Sequence, residues 1–138
     1  MIAYVDSSVV LRLVLGQPGA LAEWRSVEEG VTSALTEVEC LRTLDRLRIV
    51  EGIPDQALAE RRESIYQLLS TLAVMEIGRT VLDRAAQPLP TALGTLDAIH
   101  LATAQIWRET TSTTLTMATH DATLATAARA LGMPTVGV

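Results

Sequence analysis

Short apolar strands alternating with longer helices predict an α/β protein, a three-layer α/β/α sandwich with a parallel sheet between helical layers. Three observations carry that prediction. Five brief apolar runs (IAYV at 2–5, VTSA at 31–34, VMEI at 74–77, Thr114–Ala118 and the closing TVGV) are separated by segments of helical periodicity. Gly16, Gly52 and Gly132 stand where helices should stop, and Pro18 and Pro54 where they should start. The 138 residues, 49% hydrophobic, suffice for one domain with a sizeable core over 1–138, and no linker, repeat or low-complexity tract interrupts them.

Taken in order, IAYV reads as a buried strand and SSVVLRLVL at 7–15 as the helix that Gly16 ends. Pro18 opens a second short helix through about Glu29, and VTSA forms the next strand. Val38, Leu41, Leu44, Leu47 and Val50 then repeat at helical spacing up to Gly52. From Pro54 a helix runs through IYQLLSTL, followed by the strand VMEI, a helix over Thr80–Ala86 and the loop PLPTALG. Thr95 opens a helix through LDAIHLATAQIW; a strand at Thr114–Ala118, a helix at Asp121–Leu131 and the strand TVGV complete the chain.

Composition excludes several classes. A formal charge of -5 argues against nucleic-acid binding through a broad basic face, so any such contact must be local. The 11 basic residues are all arginines, which removes a P-loop lysine, Schiff-base chemistry and a lysine partner for a phosphoaspartate. Cys40 has no second cysteine for a disulfide or a zinc knuckle and reads as a small buried hydrophobe in a reducing cytoplasm. No apolar stretch reaches the roughly 20 residues a membrane span needs, and no signal-peptide pattern opens the chain. The expectation is a cytoplasmic protein that does not engage a membrane.

Acids collect at one place in the predicted fold. In a parallel α/β sheet the functional crevice lies beyond the carboxyl ends of the strands. Asp6 follows the first strand, Asp121 follows the strand LTMA after Thr119 and His120, Asp97 lies in the first turn of the helix opened by Thr95, and Glu39 sits one turn into the helix after the second strand. Helix capping explains Asp6 or Asp121 taken alone. It explains Asp97 less well, since Thr95 can cap, and leaves Glu39 unexplained, the solvent-facing acid of that turn being Glu37. Two carboxylates 4 to 5 Å apart repel by about 3 to 4 kcal/mol at an effective dielectric near 20. A divalent cation removes that cost, and all-oxygen ligation suits Mg²⁺ or Mn²⁺ and metal-assisted phosphodiester hydrolysis, not zinc.

YVDSSVVLRLVL, SALTEVECLRTL at 33–44, TLDAIHLATA at 95–104 and THDATLATAARALGM at 119–133 together resemble the PIN-domain ribonucleases, and within them the VapC-like toxins of bacterial toxin–antitoxin pairs. With the intervening segments the likeness covers essentially the whole chain. It implies a parallel sheet of about five strands and a four-acid site of Asp6, Glu39, Asp97 and Asp121, with Asp6, Asp97 and Asp121 as metal ligands for Mg²⁺ or Mn²⁺. Ser7 and Thr119 match the small hydroxyl residues beside those acids and would hydrogen-bond around them. Cleavage of RNA to 5′-phosphate and 3′-hydroxyl ends, a homodimer or toxin–antitoxin hetero-oligomer, and inhibition by a VapB-like antitoxin follow from the same likeness. Overall acidity and the lack of lysine depart from it and leave the grip on RNA open: Arg12, Arg42 and Arg46 are candidates, and Arg42, three residues beyond Glu39, is equally a partner that orients that acid. On this scheme Asp97 or Asp121 orients the attacking water or takes its proton.

Other residues have simpler readings. His100, three residues after Asp97, is read as structural, because oxygen-only sites for hard cations rarely recruit imidazole. His120 is read the same way, near the rim. Trp24 and Trp107 read as packing residues rather than base-stacking ones, Tyr66 as core or dimer surface, and ERRES at 60–64 as a solvated helix face. A haloacid-dehalogenase-like phosphatase would need an aspartate where Ser8 stands, and a later lysine. A stand-alone RNA-processing enzyme and a PIN scaffold that only binds a partner are the competing functions.

Overall fold

In a computed structural model covering residues 1–138, five strands form one parallel sheet in the order β3-β2-β1-β4-β5. The strands are β1 (Ile2–Val5), β2 (Glu29–Ser33), β3 (Ala73–Met75), β4 (Thr116–Ala118) and β5 (Thr135–Val136). Six helices connect them: α1 (Ser7–Leu15), α2 (Ala34–Glu51), α3 (Asp55–Ser70), α4 (Arg79–Ala85), α5 (Thr95–Thr111) and α6 (Ala122–Ala130). The expected α/β/α layering and the number of strands match this arrangement.

β1 shows how the layers arise. Strand alternation sends Tyr4 to one face of the sheet and Ala3 and Val5 to the other. Tyr4 joins Val31 and Met117 under Leu101, Ala104 and Trp107 of α5 and Leu124, Ala127 and Ala128 of α6. Ala3 and Val5 join Val9 and Val10 of α1, Cys40 and Leu44 of α2, and Ile65 and Leu69 of α3. Because β1 is buried on both sides, it reads as a continuous apolar run.

Two segments differ from the sequence reading. The stretch after Pro18 forms only a 3₁₀ turn at Ala22–Ser26, with Glu29 already in β2, because Ala22–Ser26 buries no residue fully and has no apolar stripe to pack as a full helix. On α2 the buried line is Thr36, Cys40 and Leu44, while Val38 and Val50 face solvent. The helix leans on the second core through Thr36, Cys40 and Leu44, with Leu41 packed against it, so of the apolar stripe read as its inner face the middle is buried and the two ends stand outside. Trp107 packs in the first core and half-buried Trp24 against the second, as expected, whereas Tyr66 is exposed beneath Arg62, whose guanidinium donates to its hydroxyl at 3.0 Å.

Candidate active site

The strand order sets where the site lies. From β1 the chain builds outward through β2 to β3, then crosses back to place β4 on the other flank of β1, so the direction of winding reverses between β1 and β4. The loops leaving those two strands diverge there and open a crevice at their carboxyl ends. Asp6 leaves β1 into it, and Thr119, His120 and Asp121 leave β4 into it. The two loops are tied together: the Asp6 amide donates to the Ala118 carbonyl at 3.0 Å.

Asp6 stands at the start of α1 without capping it. Its carboxylate is 4% exposed and turns toward β4, where Oδ2 accepts from Ser8 Oγ at 2.7 Å and from Thr119 Oγ1 at 2.9 Å. Thr119 also accepts the Asp121 amide at 3.0 Å, and Ser8 accepts the His120 amide at 3.0 Å. Two hydroxyls thus brace one buried carboxylate and fix the loop that carries the next. Asp121 does cap its helix, but with one oxygen: Oδ1 accepts from the Thr123 and Leu124 amides at 2.8 and 3.1 Å, and Oδ2 makes no hydrogen bond. The C-terminal strand backs this loop. His120 Nδ1 donates to the Gly137 carbonyl at 2.8 Å, and Gly137 adopts φ 102°, with the Thr119 carbonyl oxygen 2.4 Å from where a Cβ would sit. Only glycine fits there.

Glu39 reaches the same crevice from α2. Thr32, at the end of β2, donates to the Val5 carbonyl at 2.6 Å and shares a 2.7 Å hydrogen bond with Thr36, so the first turn of α2 is pinned beside Asp6. Ser33 caps that helix by accepting the Leu35 amide at 3.0 Å. Glu39 Oε1 accepts from His100 Nε2 of α5, which also lies 3.6 Å from Asp6 Oδ1. A carboxylate only accepts, so Nε2 carries the proton, and Nδ1 meets the Tyr4 hydroxyl at 2.7 Å. Burial opposes a charge on His100, but the hydrogen bond to Glu39 and the charges of Asp6, Glu39 and Asp97 outweigh it and raise the imidazole above its ordinary value. Tyr4 is held protonated, well above its usual range, by burial and by the charges of Asp6 and Glu39. Tyr4 and Glu39 therefore hold the two ring nitrogens of His100, and the fixed imidazole in turn orients one carboxylate oxygen of Glu39.

Asp97 completes the cluster from the first turn of α5. Gly94 precedes that helix with no side-chain cap, and the half-buried Asp97 carboxylate makes no hydrogen bond. Burial, then the charges of Asp121 and Asp6 and, more weakly, Glu39, raise its pKa, with His100 pulling the other way. Ligand atoms of Asp6, Glu39 and His100 lie within 4.8 Å of one another. In this set Asp6 and Glu39 offer carboxylate oxygens while His100 Nε2 keeps its proton, and Asp97 and Asp121 lie outside the set at the same crevice; gathered carboxylates of this kind are the oxygen donors a hard divalent cation takes.

At one sheet edge the structure sets Asp6 beside Glu39 and brings Asp97 within the charge of Asp121, Asp6 and Glu39. The capping reading of Asp6 does not hold, for neither oxygen accepts an amide of α1 and Oδ2 takes the hydroxyls of Ser8 and Thr119. Thr119 stands where a supporting hydroxyl was expected. Ser7 does not support the acids: its side chain makes no hydrogen bond to them, and Ser8, which the helix turns back toward Asp6, does so instead. Arg42 does not orient Glu39. It is directed along the exposed side of α2 to Asp45 at 3.2 Å, leaving Glu39 to His100. Arg12 donates to the Gly19 carbonyl at 3.2 Å. His120 is structural, through Gly137, whereas His100 is both fully buried and part of the site. Sequence reasoning missed Tyr4, Ser8 and the role of His100. The two-residue steps Tyr4–Asp6–Ser8 along the strand-to-helix junction were the available signal.

Comparison with known proteins agrees with this geometry. The PIN domain family model matches residues 3–130. The chain is 35% identical to ribonuclease VapC35 of Mycobacterium tuberculosis, over 96% of this chain and 94% of that protein. It is 33% identical to ribonuclease VapC46 of the same organism, over 96% and 95%. Among solved structures, FitAcB from Neisseria gonorrhoeae superposes with a TM-score of 0.72 at 20% identity, covering 98% of this chain and 96% of that one. A toxin–antitoxin complex from Klebsiella pneumoniae gives 0.65 at 20% identity and 89% of each chain. The chain belongs to the PIN-domain family.

Proposed function

We propose that the chain is a metal-dependent endoribonuclease, the toxin of a toxin–antitoxin pair, with Asp6, Glu39, Asp97 and Asp121 as its catalytic acids and Asp6, Asp97 and Asp121 holding Mg²⁺ or Mn²⁺. The observation that carries this reading is Asp97, a half-buried carboxylate with no hydrogen-bond partner whose pKa is raised by burial and by the acids gathered around it. The relatives named ribonuclease VapC support the substrate class, and the toxin–antitoxin complex among the structural neighbours supports a small VapB-like antitoxin as partner. No helix is long and apolar enough to cross a membrane. Single-domain organisation, a cytoplasmic location and assembly as a homodimer or hetero-oligomer with the antitoxin belong to the same proposal.

A divalent cation bound at these oxygens would supply Lewis acidity and neutralise charge building on the phosphate. The residues do the rest. Ser8 and Thr119 hold Asp6 in one orientation, and the helix amides hold Asp121 by Oδ1 with Oδ2 left for the ligand. His100, itself held by Tyr4, orients Glu39. Asp97, whose pKa is raised by burial and by the charges of Asp121 and Asp6 and whose oxygens have no hydrogen-bond partner, is suited to accept the proton of the attacking water at its carboxylate oxygen. The test is cleavage of a labelled total-RNA preparation by purified protein with Mn²⁺, with EDTA, and by Asp6→Asn and Asp97→Asn. Cutting should need the ion and vanish in both variants while circular dichroism stays native; EDTA-insensitive cutting, or full activity in either variant, refutes the scheme.

A further inference from the structure

An acidic protein that cuts a polyanion needs a local grip. Beside Glu39 a groove of about 300 Å³ opens between α2 and the first turn of α5. Val38, Arg42 and Arg46, four residues apart, run along its α2 side, and Leu96 faces them from α5. Val38 and Leu96 are 56% and 49% exposed, two large apolar side chains left uncovered on either side of one cleft. Arg42 shares Asp45 with Arg48, at 3.2 and 2.8 Å, so one acid serves two guanidinia, and Arg46 makes no ion pair. Two guanidinia and two exposed apolar side chains therefore line one cleft, which also holds Glu39 of the acid cluster. That pairing of chemistries suits a single strand, which offers phosphates to the guanidinia and unstacked base faces to the apolar side chains.

We infer that this groove is a nucleotide subsite for single-stranded RNA, in which Arg46, with Arg42, takes a phosphate neighbouring the scissile one while Val38 and Leu96 pack against the face of a base. The assignment rests on the nuclease reading above. It places the basic contacts on one stripe of α2, which is how a chain of net charge -5 can hold RNA without a basic face.

The test uses a fluorescein-labelled single-stranded RNA titrated by anisotropy at several salt concentrations in Ca²⁺, which neutralises the acids in place of Mg²⁺ and does not support cutting, as a gel of each titration end point checks. Arg46→Ala should weaken binding roughly tenfold and lower the log–log salt slope by about 0.7, the value for one lost single-strand phosphate contact. Val38→Ser should weaken binding about threefold and leave the slope unchanged, since it removes apolar contact only. Arg79→Ala, on α4 and paired with Asp83, is the control and should bind as the wild type. Unchanged affinity and slope in both groove variants overturns the subsite. Unchanged RNA affinity in Arg46→Ala with impaired binding of the cognate antitoxin also overturns it, giving the groove to a protein partner. The two proposals fail separately: a wild type that cuts RNA while the groove variants bind normally loses only the subsite. One that binds through Arg46 but never cuts loses only the catalytic reading, and one that does neither loses both.

Discussion

Thr119→Val removes a single oxygen and keeps the shape of the side chain. Thr119 is fully buried, donates to Asp6 Oδ2 at 2.9 Å and accepts the Asp121 amide at 3.0 Å. A hydrogen bond to an ionised group is worth roughly 1.5 to 3 kcal/mol net, and a stranded, partly buried N–H costs about 1 more. The sum, roughly 2 to 4 kcal/mol, should lower the melting temperature by about 10 °C in a domain of this size. The loss should be local in origin, so Thr119→Ser, which keeps the hydroxyl, should recover most of it. Thermal unfolding followed by circular dichroism in EDTA reads the stability, and repeating the melts with Mn²⁺ reads the site: a carboxylate with one brace missing should draw a smaller metal-induced rise. Valine melting with the wild type while serine falls below both would refute the idea that this hydroxyl holds Asp6.

Two further expectations come from the same cluster. Since the folded pKa of Asp97 is raised, the folded state binds its proton more tightly than the unfolded chain does, and stability drops as pH rises through that window. Asp97→Asn should therefore be more stable than the wild type at pH 7 in EDTA, with the difference vanishing below the ordinary carboxylate range; urea titrations across pH check this, and a variant less stable at pH 7 contradicts it. The Cys40 thiol, pushed up to about 12 by burial and then by Glu39 and Asp6, should resist Ellman's reagent at pH 8 in the native protein and titrate as one thiol once denatured.

How much of this was legible from residue order follows from what each kind of signal encodes. β1 and α1 were readable to the residue, because a strand buried on both faces and a glycine-terminated apolar helix are local patterns. The positions of Asp6, Asp97 and Asp121 followed from the rule that crevices open beyond strand ends. Side-chain direction was not local. Ser7 and Ser8 differ by one helical step, and only the position of β4 decides which of them meets Asp6. Arg42 had two acids within one turn, Glu39 and Asp45, and His100, arriving from α5, leaves it the second. The outer face of α2 misled for a related reason. Its apolar residues repeat as a core stripe would, yet the small side chains of Thr36 and Cys40 are what let the helix close on the sheet.

Thr119 lies 113 residues downstream of the aspartate it braces. β1 sits mid-sheet, with β2 following it closely along the chain and β4 arriving only after β2, β3 and the helices between them. A nascent chain can therefore join β1, β2 and β3 while its first aspartate lacks the Thr119 hydroxyl and the acid beyond it. For the nuclease proposed above, the acid site is complete only once Thr119 to Asp121 have joined the sheet beside β1, so activity is tied to the pairing of two strands distant along the chain.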